Sequence, residues 1–146
     1  MIVKAEQLNH ITENIIGAAI EVHRSLGPGL LESAYETCTA FELTERGRQV
    51  ARQVPLPLVY KGVHLDCGYR LDLLVDDLVI VEIKAVDAIT DVHKAQLLSY
   101  LKISGLHVGL LINFNVKMLK HGIVRVVNDF PESQRSLRTP RLDKEK

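Results

Sequence analysis

Leu78-Val79-Ile80-Val81-Glu82-Ile83-Lys84 is a strand-like run whose character changes partway along one face. In an extended chain, successive side chains point to opposite sides. Val79, Val81 and Ile83 therefore share one face, and Leu78, Ile80, Glu82 and Lys84 share the other. A strand that merely has one wet face carries polar residues along all of it. Here both faces are apolar until Glu82, so charge enters only at the carboxyl end of an otherwise buried run. The pattern predicts a central strand that ends in a charged pocket. A salt-linked strand end in water would give the same triplet, and the triplet alone does not separate the two readings.

A second run, Tyr69-Arg70-Leu71-Asp72-Leu73-Leu74-Val75, places Asp72 among apolar neighbours, where an unpartnered carboxylate is costly. Asp76-Asp77 separates the two runs, and antiparallel pairing brings Asp72 opposite the region of Glu82. The register decides whether they meet. A strict two-residue turn pairs 75 with 78 and leaves Asp72 and Glu82 on opposite faces. A three-residue loop over 75–77, or a bulge, puts both on one face with Lys84. So arranged, the two carboxylates form a hard-oxygen site suited to Mg²⁺ or Mn²⁺, which keep bound waters and can hold a phosphate oxygen. Lys84 would then position the attacking water or stabilise developing negative charge.

Outward from this pair, apolar residues at spacings of three and four predict a helix over 6–23. The Gly27-Pro28-Gly29 segment forces a turn, and a second helix follows over 30–46, with Leu31, Ala34, Tyr35, Cys38, Phe41 and Leu43 on its stripe. Residues 50–60 and 63–67 read as strands joined at Lys61-Gly62, and Pro55 and Pro57 favour an edge position for the first of them. Thr90 or Asp91 caps a helix ending at Gly105, and strands over 108–113 and 123–127 complete the order α-α-β-β-β-β-α-β-β around one mixed sheet flanked by helices. Residues 1–130 form one domain, and 131–146 hold too few large apolar groups to offset ordering entropy, which predicts a flexible tail.

Composition narrows the function. Eighteen Lys and Arg balance eighteen Asp and Glu in 146 residues, so no whole-molecule field attracts polyanions and any nucleic-acid contact uses a local patch. Cys38 and Cys67 lack metal-ligand or secreted spacing and read as reduced core thiols, and the six histidines show no paired-ligand spacing for zinc. No signal peptide or membrane span is evident, which places the chain in the cytoplasm by default.

The arrangement Asp72, then Glu82-Ile83-Lys84, then a helix bearing Gln96 and Tyr100, resembles the PD-(D/E)XK nuclease superfamily, and the Gln-x-x-x-Tyr helix looks like its RecB-type branch. Gly29-Leu30-Leu31-Glu32-Ser33-Ala34-Tyr35 matches the motif that names the GxxExxY family, assigned to that superfamily, over about residues 8–128. The resemblance implies a restriction-endonuclease-like α/β fold. It implies metal ligation by Glu32, Asp72 and Glu82, and catalysis by Asp72, Glu82 and Lys84 with Gln96. Leu71 stands where the superfamily motif has Pro. Tyr35 reads as a core anchor with its hydroxyl partnered near the site, and Tyr100 as a supporting or substrate-contacting residue. Without the resemblance, Glu32 is a first-turn acid favoured by the helix dipole, and Gln96 over Tyr100 is a polar residue on a packed ring.

Two readings of function stand side by side: a divalent-metal nuclease acting on DNA or RNA, and a non-catalytic binding or scaffold protein on the same fold. A fold does not settle chemistry. Hydrolysis or binding of a smaller phosphate ester is a third, and self-association is left open.

Overall fold

The computed structural model describes residues 2–132, so the tail predicted over 131–146 lies outside the described residues from 133 onward. The first helix, α1 (Ala5–Leu26), buries Leu8, Ile11, Ile15, Ala18, Ala19 and Val22, the stripe its three-and-four spacing predicts. It stops at Gly27, whose φ of 68° begins the turn. The second helix, α2 (Glu32–Glu45), departs from expectation. Its buried residues are Tyr35, Glu36, Thr39, Ala40 and Leu43, whereas Phe41 and Leu31 are exposed. The helix turns a stripe containing Glu36 and Thr39 toward the sheet, because Tyr35 and Leu43 are fully buried on that side. Only one of its two candidate faces can pack.

Seven strands follow among the described residues: β1 (Val50–Pro55), β2 (Leu58–Tyr60), β3 (Val63–Leu65), β4 (Arg70–Val75), β5 (Val79–Lys84), β6 (Val108–Asn113) and β7 (Ile123–Val127). Between β5 and β6 runs α3 (Asp91–Ser104), capped by Thr90 and closed by Gly105 in the left-handed region. A short 3-10 turn, Leu119–Gly122, precedes β7. The main sheet has the order β1-β4-β5-β6-β7, with β5 and β6 parallel and the other pairs antiparallel. The α/β expectation of a mixed central sheet flanked by helices holds. The Glu82 strand is central and the proline-bearing strand is at the edge, where a missing amide donor costs least.

Two expectations are corrected. The β2–β3 hairpin, turning at Lys61-Gly62, forms its own two-stranded sheet, since the chain breaks at Leu56-Pro57 and separates it from β1. Both cysteines are free thiols, but Cys67 lies exposed in a loop outside the core, whereas Cys38 is half-buried and packs against it.

The sheet separates two apolar layers. Leu73, Val75, Val79, Val81 and Ile83 pack against α1 and α2, together with Tyr35 and Phe114, whose rings stack at 4.4 Å. On the other face, Ile80, Leu71 and Leu111 pack with Leu97, Tyr100 and Leu101 of α3. Gly109 lets α3 lie close, since a Cβ there would sit 2.8 Å from Leu97 Cδ1. No helix among the described residues is long and apolar enough to cross a membrane.

Candidate active site

The β4–β5 register settles the parity question. Val75 pairs with Val79, Leu74 with Ile80 and Leu73 with Val81, so the connecting loop is the three residues Asp76, Asp77 and Leu78. The required three-residue loop is present, displaced by one position. Asp76 and Asp77 both adopt positive φ and Leu78 N–H donates to Val75 O at 3.0 Å, which closes the loop. Continuing that register sets Asp72 opposite Glu82 on one face, the face that carries Ile80 toward α3.

At this position the ordinary ladder gives way to side chains. Asp72 N–H donates to Glu82 Oε2 at 3.0 Å, and Ile83 N–H donates to Asp72 Oδ2 at 2.8 Å. Each carboxylate therefore takes a backbone amide across the two strands. Asp72 Oδ1 accepts from Gln53 Nε2 at 3.3 Å, and the same amide donates to Glu36 Oε1 at 2.8 Å. Gln53 has φ 51° and lies opposite Asp72, an unpaired position between Arg52↔Leu73 and Val54↔Leu71; the register is the same on both sides, so the backbone is distorted locally with no residue inserted. Arg52 Nε reaches Glu36 Oε2 at 3.2 Å. Residues from β1, α2, β4 and β5 thus join in one polar network.

Burial raises the pKa of Glu82 to about 8, with the Asp72 charge adding to the effect. Burial likewise raises Asp72, and Glu36 adds repulsion, while the amide of Ile83 and the charge of Lys84 oppose it. Lys84 acts on both carboxylates through its charge, yet closes no ion pair with either among the described residues. Glu82 and Asp72 are thus short of positive charge. Tyr100 is buried on α3, and its pKa is raised by burial and then by the Glu82 charge, so it lies within electrostatic reach of the acids.

The remaining predicted residues sit nearby with different partners. Glu32 Oε2 accepts from Ala85 N–H at 3.1 Å, which ties the start of α2 to the residue after β5. Tyr35 is fully buried, and its hydroxyl donates to Gly27 O at 2.6 Å and accepts from Leu30 N–H at 3.1 Å. It therefore braces the turn rather than the acids. Gln96 is exposed one helical turn before Tyr100. Sequence reasoning missed Glu36 and Gln53. The signal for Glu36 was its spacing with Thr39, Ala40 and Leu43, which places it on a single helical face with a buried leucine.

The oxygens of Asp72 and Glu82 suit a small hard cation. No group of three or more His, Cys, Asp or Glu among the described residues is gathered so as to enclose one. The chain would supply two carboxylates and leave other positions to water and phosphate oxygens, a mode Mg²⁺ favours. The buried like-charged pair is the observation that makes the fit, because a cation would relieve its repulsion.

A family model described as PD-(D/E)XK nuclease superfamily matches residues 9–126. No curated protein and no solved structure matches the chain.

Proposed function

Because the chain belongs to the PD-(D/E)XK nuclease superfamily, we propose that it is a divalent-metal-dependent nuclease hydrolysing phosphodiester bonds in cytoplasmic DNA or RNA, with residues 1–130 as one domain. The observation that carries this reading is the opposed pair Asp72 and Glu82, desolvated and mutually repelling, with Lys84 next along the same strand face. Superfamily members generally use divalent metals, and Asp72 and Glu82 would hold Mg²⁺ or Mn²⁺ here. Such a cation, when bound, acts as a Lewis acid on a phosphoryl oxygen and lowers the pKa of a bound water. The ammonium of Lys84 opposes negative charge that builds on the phosphate in the transition state and orients the attacking water. Gln96, exposed above Tyr100, would contact the nucleic acid, and Tyr100 supports the acid pair from α3.

Gly29, Glu32 and Tyr35 support membership of the GxxExxY branch, and each does something physical in the fold. Gly29 at φ 104° makes the turn, Tyr35 locks it and Glu32 ties the helix to Ala85. Glu32 has one oxygen beyond the Ala85 amide for a third carboxylate contact, and Glu36, whose charge bears on both Asp72 and Glu82, is a second candidate for that place.

The competing reading is a non-catalytic binding or scaffold protein. It is favoured by the fact that Asp72 and Glu82 already satisfy backbone amides. Cleavage of a DNA and RNA panel with Mg²⁺ or Mn²⁺, with calorimetric titration of Mn²⁺, separates the two. A nuclease should bind Mn²⁺ through Asp72, gain about 2.7 kcal/mol of stability at one hundred times the dissociation constant, and lose about 10²-fold or more of its rate in Lys84→Ala. Absence of both metal heat and cleavage would leave the scaffold reading.

A further inference from the structure

The β2–β3 hairpin is a surface that neither the fold nor the acid pair explains. Its pairs are Leu58↔Leu65, Val59↔His64 and Tyr60↔Val63, so Leu58, Tyr60, Val63 and Leu65 share one face. Among the described residues no third strand pairs with the hairpin, and a lone two-stranded hairpin is marginal in water. Yet Tyr60 is 57% exposed, Val63 is exposed beside it, and Tyr69 at the hairpin's base is 39% exposed. Apolar and aromatic groups gathered on a projecting element mark a contact surface.

Three observations point to its occupant. Lys61 Nζ lies 5.5 Å from the centroid of the Tyr60 ring, so a cation stands beside a stacking surface, as a base with its phosphate requires. Residues 56–70 carry Lys61 and Arg70 against Asp66 alone, whose Oδ1 is held by Gly68 N–H, so the segment leans positive in a chain of zero net charge. Tyr69, four residues beyond β3, leads toward the acids. The Tyr69 ring lies 5.8 Å from that of Tyr100, and Tyr100 feels the charge of Glu82.

We propose that the β2–β3 hairpin with Tyr69 is a stacking platform for unpaired nucleotides, which delivers a single-stranded segment of nucleic acid to the Asp72–Glu82 pair. Stacking suits this chain better than duplex tracking. Each base offers a π-face, whereas binding along a duplex draws on many phosphate contacts that a neutral molecule with scattered cations does not offer. The proposal names the substrate class of the nuclease reading and rests on it for the purpose of the bound strand, but binding can be measured apart from cleavage.

The test is fluorescence anisotropy with a labelled single-stranded DNA of about 15 nucleotides, and with its duplex, in EDTA so that no cleavage occurs. The whole chain should bind the single strand about tenfold or more tightly than the duplex. Tyr60→Ala and Tyr69→Ala should each weaken single-strand binding about 5- to 100-fold, while Tyr60→Phe keeps it. Both rings are partly exposed, and melting curves check that the variants fold. Equal affinity for single strand and duplex, or unchanged binding in both alanine variants, would overturn the proposal. So would light scattering that shows a dimer dissociated by Tyr60→Ala, because the hairpin would then be a self-association surface. Single-strand binding lost in Tyr60→Ala, in a protein that cuts nothing with Mg²⁺ or Mn²⁺, would uphold the platform and sink the nuclease reading instead.

Discussion

The two halves of the β4–β5 pair are built on different physics. Near the loop, Leu73, Val75, Val79 and Val81 pair in register and enter the layer beneath α1 and α2, where all four are fully buried. One position further on, Asp72 and Glu82 take the amides across the strands, and the same sheet carries two carboxylates with raised pKa values. The first half is stable because its burial is apolar and its ladder is regular. The second keeps its backbone satisfied but holds like charges in a desolvated place, so it adds strain that a cation or a proton can remove. Two opposed carboxylates can thus be set into a central strand without unfolding it, provided the neighbouring half supplies the stability.

The sharpest way to break this contrast is Leu73→Ala in the apolar half. A fully buried leucine lost to alanine costs the transfer term plus a cavity, about 4 kcal/mol here, in the upper part of the usual range. Urea denaturation should show that loss with an unchanged slope, and Mn²⁺ should still bind the folded fraction. A Leu73→Ala protein that loses metal binding while still folded would show that the two halves are one unit.

The next effect is one of pH, in the charged half. Glu82 has an ordinary value of 4.5 and rises to about 8 in the folded chain, so between those limits the folded state holds a proton that the unfolded state has lost. Stability of the metal-free protein therefore falls as pH rises from about 4.5, and the fall levels off above about 8. The Glu82 contribution is on the order of 5 kcal/mol. Glu82→Gln keeps an oxygen for Asp72 N–H and should flatten that slope, with a gain in stability at pH 8 and none at pH 4. Thermal melts at a series of pH values decide it. A slope unchanged in Glu82→Gln would place the charge strain elsewhere.

Much of this contrast was legible in the residues, and the rest was not for identifiable reasons. The abrupt entry of charge at Glu82 in an apolar run marked the end of a central strand, and parity converted that into a demand on loop length that the fold meets. The identity of the loop was off by one, because two-residue and three-residue loops over Asp76 and Asp77 differ only in backbone torsions that side chains barely announce. Glu36 was hidden because α2 has two usable stripes, and the one with Phe41 and Cys38 looks more apolar than the one that is buried. Gln53 could not have been found by pattern, since its role comes from a φ of 51° at an unpaired position within a continuous strand register. The hairpin was read correctly from Lys61-Gly62, but whether it joined the main sheet depended on the break at Leu56-Pro57, a tertiary matter.

The smallest effect tests the loop that sets the register for both halves. Asp76 and Asp77 have φ values of 53° and 57°, a region that costs most L-residues free energy and aspartate somewhat less. Asp76 is compensated: its Oδ2 accepts from Arg48 Nη1 at 2.8 Å and its Oδ1 from Gln49 N–H at 2.9 Å. Asp77 is exposed and forms no hydrogen bond with the described residues. Glycine at 77 removes the torsional cost but enlarges the unfolded ensemble, so the two terms nearly cancel and leave a gain of about 0.5 kcal/mol. Glycine at 76 makes the same exchange and also forfeits an ion pair and an amide acceptor, so its net effect is a loss. The denaturation midpoints of Asp77→Gly and Asp76→Gly should therefore move in opposite directions. If both fall together, the carboxylate of Asp77 holds the loop as Asp76 does, and the meeting of Asp72 with Glu82 depends on two side-chain anchors rather than one.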